Sequence, residues 1–220
     1  MATPAEYLAR LRKLDCCAVS DALDQLKLKG VVSGLSQASG TGRIAGLAIT
    51  VKLGVGAPAA GPPKHLGATA IEIGGPDNVI VIEQRSGVEA GSWGGLLSLG
   101  AKVKGIAGVV ADGPVRDIDQ AMEMGFAVFA NTFTARTARA RIVELGTNVL
   151  VSIGDLTVEP GAYVLADRSG VIFIAATDIE RVLAAAERIA AKEEAMAKDI
   201  LAGKPIGTVM GGDYEHMLKG

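Results

Sequence analysis

The seven residues Gly105–Ala111, GIAGVVA, constrain this chain more than any other stretch. A run this apolar, and this short, suits a β-strand covered on both faces. Such a strand needs layers above and below it, so the chain should be an α/β protein. The flanks agree. From Ser92 the sequence reads as a helix opening on Gly94 and Gly95, with Leu96 and Leu97 following. After the strand comes a polar turn, Asp112-Gly113-Pro114-Val115-Arg116-Asp117, and then a second helix as far as Gly125. Strand-to-helix junctions are where α/β proteins place their chemistry. Arg116 and Asp117 are therefore the candidate site.

Around this core the chain shows no repeat, linker or low-complexity segment, and it reads as one domain over 1–220. Thr3-Pro4-Ala5-Glu6 has the form of a capping box, predicting a helix to about Leu14. A second helix is expected from near Ser20 to before Gly30, with the adjacent Cys16 and Cys17 as small residues at a helix start. Strands are expected at Arg43–Leu53, Asp77–Glu83, Ala127–Ala130, Asn148–Ile153, Leu156–Glu159, Tyr163–Ala166 and Gly170–Ile174. Ser33–Gly42 and Gly54–Pro63 read as loops, His65–Ile73 as a short helix, and Asp178 to about Leu201 as a long one ending at Gly203. Strands separated only by turns argue for a mixed, layered sheet rather than regular βαβ alternation.

Several function classes are disfavoured. Net charge is −2 and only eight residues are aromatic, so neither a basic stripe nor a stacking platform for nucleic acid is present. The apolar runs are too short to span a membrane, and the charged N-terminus lacks a secretory apolar region. Two adjacent cysteines form no zinc knuckle and suit a reducing, cytoplasmic setting. Gly40-Thr41-Gly42 precedes a strand instead of joining a strand to a helix, which is the wrong context for a dinucleotide.

Each candidate has a plain structural alternative. Asp117 is placed to cap the following helix, with Gln120 completing the box, and Arg116 could be an ordinary surface residue. Gly94–Leu97 could simply let a helix pack closely. In the functional reading, its exposed N–H groups bind a carboxylate. One helix and one strand lie between Gly95 and Arg116, enough for the two ends to meet. A helix N-terminus, an arginine and an aspartate together could hold a 2-oxo acid, with Asp117 on a Mg²⁺ or Mn²⁺ ion that keeps most of its waters. Arg136, Arg139 and Arg141 could meet a second carboxylate or be solvated. His65 could line a site, and His216 sits in the tail.

The stretch WGGLLSLGAKVKGIAGVVADGPVRDIDQAMEMGFAVFA (Trp93–Ala130) resembles the metal-dependent 4-hydroxy-4-methyl-2-oxoglutarate aldolases and the related regulator of ribonuclease activity A. The resemblance extends to VSDALDQL (Val19–Leu26), GRIAGLAITVK (Gly42–Lys52) and VSIGDLTVEPGAYVLADRSGVIFI (Val151–Ile174). It implies a swivelling β/β/α sandwich, assembled as a homotrimer or hexamer with sites at subunit interfaces. It further implies a divalent metal on Asp117, and pyruvate held by Arg116 and by the backbone amides of Gly95–Leu97, matched most closely at Leu96 and Leu97. A glutamate of the C-terminal helix reaches the neighbouring subunit in these aldolases; Glu193 is the nearer match and Glu194 the next. An apolar content of 49% fits assembly.

One departure matters. The aldolases carry an acidic residue just before the Leu-Leu pair, where this chain has Gly95. The resemblance thus implies a lyase working through a pyruvate enolate, by retro-aldol cleavage or oxaloacetate decarboxylation. The alternatives are a non-catalytic regulator that binds a ribonuclease, and an isomerase or hydratase using the same enolate.

Overall fold

The computed structural model describes residues 2–57 and 64–211. Helix α1 (Pro4–Leu11) starts on the expected box: Thr3 Oγ1 accepts from the Glu6 N–H, and the Thr3 N–H donates to Glu6 Oε2 at 2.6 Å. Helix α2 (Cys16–Gln25) begins four residues before Ser20 because Asp15 caps it, its Oδ1 accepting from Ala18 N–H at 2.8 Å. The strands that follow are β1 (Val31–Val32), β2 (Ser36–Ser39) and β3 (Ile44–Gly54), so part of the expected Ser33–Gly42 loop is a strand.

Next comes strict alternation: α3 (Ala68–Ile73), β4 (Asn78–Gln84), α4 (Gly95–Val103), β5 (Gly108–Val115), α5 (Ile118–Met124) and β6 (Val128–Phe133). Strands β3, β4, β5 and β6 are parallel neighbours in sequence order. Half of the sheet is therefore the regular βαβ arrangement that the sequence argued against. The short strands that follow are antiparallel. These are β7 (Val143–Thr147), β8 (Val151–Ile153), β9 (Leu156–Val158), β10 (Tyr163–Asp167) and β11 (Gly170–Ile174). Helices α6 (Ile179–Leu201) and α7 (Ile206–Val209) close the described chain.

Among the described residues the main sheet runs β1-β11-β10-β3-β4-β5-β6-β2, with β7 also paired to β3, and β8-β9 form a separate hairpin. Side chains alternate cleanly between the two faces. On β4, Ile80 and Ile82 face helices while Val79 and Val81 face the hairpin layer. Strand β3 serves two helix groups: Ala45 and Leu47 pack under α1, α2 and α6, and Ile49, Val51 and Leu53 pack under α3, α4 and α5. The result is a hairpin, a sheet and a helical layer, a mixed α/β fold with a long C-terminal helix, as expected.

Long helix α6 buries Ile179, Val182, Leu183, Ala185, Ala186 and Ile189, one face at helical spacing. Each large side chain so buried contributes about 1.5–3 kcal/mol. Beyond Ile189 none of its residues is buried. Arg10 of α1 grips α6 through two parallel bonds to Glu187, at 2.7 and 2.9 Å.

The hairpin layer is held by polar contacts as well. Glu83 accepts from Ser152 N–H at 2.6 Å, and Asp112 accepts from Gly154 N–H at 2.8 Å. Asp112 is thus a buried strand residue, not the start of a turn, because β5 continues to Val115. Among the described residues no helix is long and apolar enough to cross a membrane.

Candidate active site

The N-terminus of α4 and the β5–α5 junction meet as the spacing suggested. The Arg116 N–H donates to Trp93 O at 3.0 Å, and the Ser92 N–H to Pro114 O at 2.7 Å. Gly95 N–H donates to Asp117 Oδ2 at 3.0 Å, while Arg116 Nε donates to Asp117 Oδ1 at 3.2 Å. Both side chains are about one-third exposed and line a cleft of about 830 Å³.

Asp117 precedes α5 but does not cap it with its side chain. Its backbone is left-handed, with φ 57° and ψ 38°, a conformation aspartate tolerates better than most residues. This turn sends the carboxylate to the N-terminus of α4 instead of α5. The expected box with Gln120 is therefore absent, because the competing N–H of Gly95 claims the oxygen.

Small residues make room for the pair. A Cβ on Gly91 would stand 2.9 Å from Arg116 Cδ, and one on Gly94 would stand 2.8 Å from Asp117 Oδ2. Buried Trp93 fixes the loop between them: its Nε1 donates to Ser98 Oγ at 2.9 Å, and its ring stacks on Phe126. The Gln84 amide anchors the loop upstream, donating to Val88 O and Ala90 O.

The first bond within α4 runs from Ser98 N–H to Gly94 O, so the amides of Leu96 and Leu97 precede the helical ladder. Both residues line the cleft, as does Gly95. Arg139, Lys64 and exposed His65 lie on its rim. Arg136 pairs instead with Glu89 at 3.1 Å, and Arg141 donates to Thr137 O at 3.1 Å. Glu144 also lines the cleft, accepting from Gly67 N–H at 2.7 Å and from the Thr147 hydroxyl. The sequence reading did not single out Glu144, which lies in the unforeseen strand β7 and carries no motif.

Glu193 does not line this cleft. It lies on the helical side near α2, where burial, followed by the Asp15 and Asp21 carboxylates, pushes its carboxyl above the usual range. Glu194 is exposed and paired with Lys198 at 2.7 Å. His216 and most of the expected Gly54–Pro63 loop lie outside the described residues.

A metal ion fits this donor set in one way only. Among the described residues no three His, Cys, Asp or Glu side chains gather as a metal cage. Each Asp117 oxygen accepts one bond from the protein, leaving lone pairs free. One partly exposed carboxylate with spare lone pairs suits a hydrated Mg²⁺ or Mn²⁺ ion, not zinc or calcium.

Residues 16–173 match the RraA-like family, described as Aldolase/RraA. The chain belongs to this family. Among its relatives, the uncharacterized protein MJ0644 of Methanocaldococcus jannaschii is 37% identical over 123 residues, covering 56% of this chain and 58% of that protein. The chain thus spans little more than half the length of this relative. A protein of Halalkalibacterium halodurans named "Putative 4-hydroxy-4-methyl-2-oxoglutarate aldolase" is 29% identical and covered at 89% of both chains. RraAS2 of Streptomyces coelicolor, described as an unusual member of the RNase ES inhibitor RraA family, superposes with a TM-score of 0.76 at 22% identity, covering 86% and 95%. That last likeness bears on fold alone.

Proposed function

We propose that this Aldolase/RraA family member is a divalent-metal-dependent lyase that acts on a 2-oxo acid through a pyruvate enolate. The observation carrying this reading is the meeting of the α4 N-terminus with Arg116 and Asp117 in one cleft. The amides of Leu96 and Leu97, at the positive end of α4, bind the substrate carboxylate. Arg116 faces the 2-oxo oxygen, where charge develops as the enolate forms. Asp117, with Gly95 N–H and Arg116 holding its orientation, carries Mg²⁺ or Mn²⁺. When bound, the ion supplies electrostatic stabilisation of that developing charge.

Two reactions reach this enolate. In retro-aldol cleavage a base takes the C4 hydroxyl proton, the C3–C4 bond breaks, and its electron pair enters the enolate. In oxaloacetate decarboxylation the same bond breaks with loss of CO₂, and no base is needed. Gly95 offers no side chain to act as base, so decarboxylation is the favoured activity.

Assembly as a homotrimer or hexamer belongs to the same proposal. Helix α4 exposes Leu96, Leu99 and Val103 (85%, 47% and 79%) on one face beside the cleft. Glu193 lies away from its own cleft, and in this proposal it serves the cleft of another subunit. The unpaired cysteines, Cys16 buried and Cys17 exposed, suit a cytoplasmic protein.

The test is a screen of 2-oxo acids for pyruvate release, with Mg²⁺, with Mn²⁺ and after EDTA. Metal-dependent release from oxaloacetate is expected. Activity unchanged by exhaustive chelation would remove the metal from the proposal. No release from any 2-oxo acid would leave a ribonuclease regulator as the better reading.

A further inference from the structure

Glycine at position 95 does not leave a gap. A Cβ built there would stand 1.8 Å from Gln120 Oε1, 2.9 Å from Gln120 Cδ and 3.3 Å from Asp117 Cβ. The carboxamide of Gln120 therefore fills the space that a side chain at position 95 would occupy. Gln120 lies in the first turn of α5, three residues after Asp117, and is exposed. The side-chain amide and the Asp117 carboxylate thus stand together over the start of α4. With glycine at 95, the polar group standing over the start of α4 comes from α5.

We infer that Gln120 is a positioning and specificity-determining residue for the reaction proposed above, on which this inference rests. Its amide offers one carbonyl acceptor and two N–H donors beside Asp117, enough to orient a water or a substrate oxygen. A neutral amide accepts no proton near pH 7. It orients without acting as a base, so it sustains decarboxylation and withholds the proton removal that hydroxy-acid cleavage requires. Placing a carboxylate at this point supplies that base.

A second consequence is steric. Because residues 95 and 120 compete for one space, a side chain at 95 forces Gln120 aside. The contact falls on the flexible end of Gln120, so movement rather than unfolding is the outcome.

The experiment compares the full-length wild type with Gln120→Glu, Gln120→Ala, Gly95→Asp and the Gly95→Asp/Gln120→Ala double variant. Three quantities are read: Mn²⁺ affinity by direct titration, oxaloacetate decarboxylation, and pyruvate release from 4-hydroxy-4-methyl-2-oxoglutarate across pH. Gln120→Glu is expected to tighten Mn²⁺ binding several-fold and to raise the ratio of cleavage to decarboxylation at least tenfold. It should also add an acidic limb to the pH profile of cleavage. General base help of ~10²–10⁴-fold sets the ceiling. Gln120→Ala should gain neither the limb nor the ratio. The double variant should outperform Gly95→Asp alone in cleavage, because the space has been cleared.

If the wild type binds Mn²⁺ and decarboxylates oxaloacetate but Gln120→Glu matches it in affinity, ratio and pH profile, the role of Gln120 is refuted and the lyase reading stands. If the wild type neither binds Mn²⁺ nor releases pyruvate, the lyase reading fails and the role of Gln120 fails with it.

Discussion

Gly91→Ala tests how tightly the cleft holds Arg116. The added methyl would stand 2.9 Å from Arg116 Cδ, 3.0 Å from Cγ and 3.2 Å from the backbone oxygen of Arg136. The backbone oxygen is fixed by the Gly91 N–H bond at 2.9 Å, so the arginine must yield. Restoring ordinary contact moves its side chain by about 0.5 Å, and a 1 Å misplacement at a reacting centre costs on the order of 10²-fold, so kcat should fall about tenfold. Overpacking should also remove about 1–3 kcal/mol of stability. The assay is metal-supported pyruvate release from oxaloacetate, alongside thermal unfolding. Gly75→Ala is the control, since nothing lies within 4 Å of its Cβ and its backbone needs no glycine. A Gly91→Ala protein within twofold of wild type in kcat would show that the position of Arg116 does not limit the reaction.

Arg116→Lys should retain the fold yet lose most of the rate, because an ammonium cannot hold Asp117 through Nε while facing the substrate. A fully active lysine variant would return Arg116 to the surface. Glu193→Gln should stabilise the metal-free protein at neutral pH. Its carboxyl is raised in the folded state, first by burial and then by Asp15 and Asp21, so the folded state favours the protonated form. The stability it contributes is present at low pH and is lost as pH rises through the folded value. The gain from glutamine should therefore shrink as the pH falls through that raised value and be gone below about 4.5, the ordinary value. An equal gain at every pH in thermal melts would contradict this. In light scattering at micromolar concentration the protein should be a trimer or a multiple of three; a monomer would leave Glu193 without a site to serve.

The strand-to-helix junction was legible because a wholly apolar run ended in charged residues, and the physics of a doubly covered strand is local. Its partners were less so. Whether Asp117 caps α5 or reaches Gly95 depends on a residue 22 positions away, and local pattern left both open. Gly91 carries no signal of its own, and Gln120 signalled only a capping box that does not form; each matters through a contact that exists only after β5 folds back beside α4. Strand β7 was missed because its half-exposed sequence, VELGT, shows no strong alternation. The parallel half of the sheet was hidden for a different reason, since the antiparallel strands are joined by clearer turns than the βαβ crossovers.

Strand β3 lies beneath both helix groups, with α1, α2 and α6 over its first half and α3 to α5 over its second. Neither group can detach without exposing the same strand, so the two should melt as one cooperative unit. Amide hydrogens in the middle of β3 should then exchange with solvent only when the whole molecule opens. The last turns of α6, past Ile189, hold no fully buried residue in the single chain and should exchange chiefly by fraying. Evolution can accordingly rebuild that arm, turn by turn, without drawing on the stability of the body that carries the cleft.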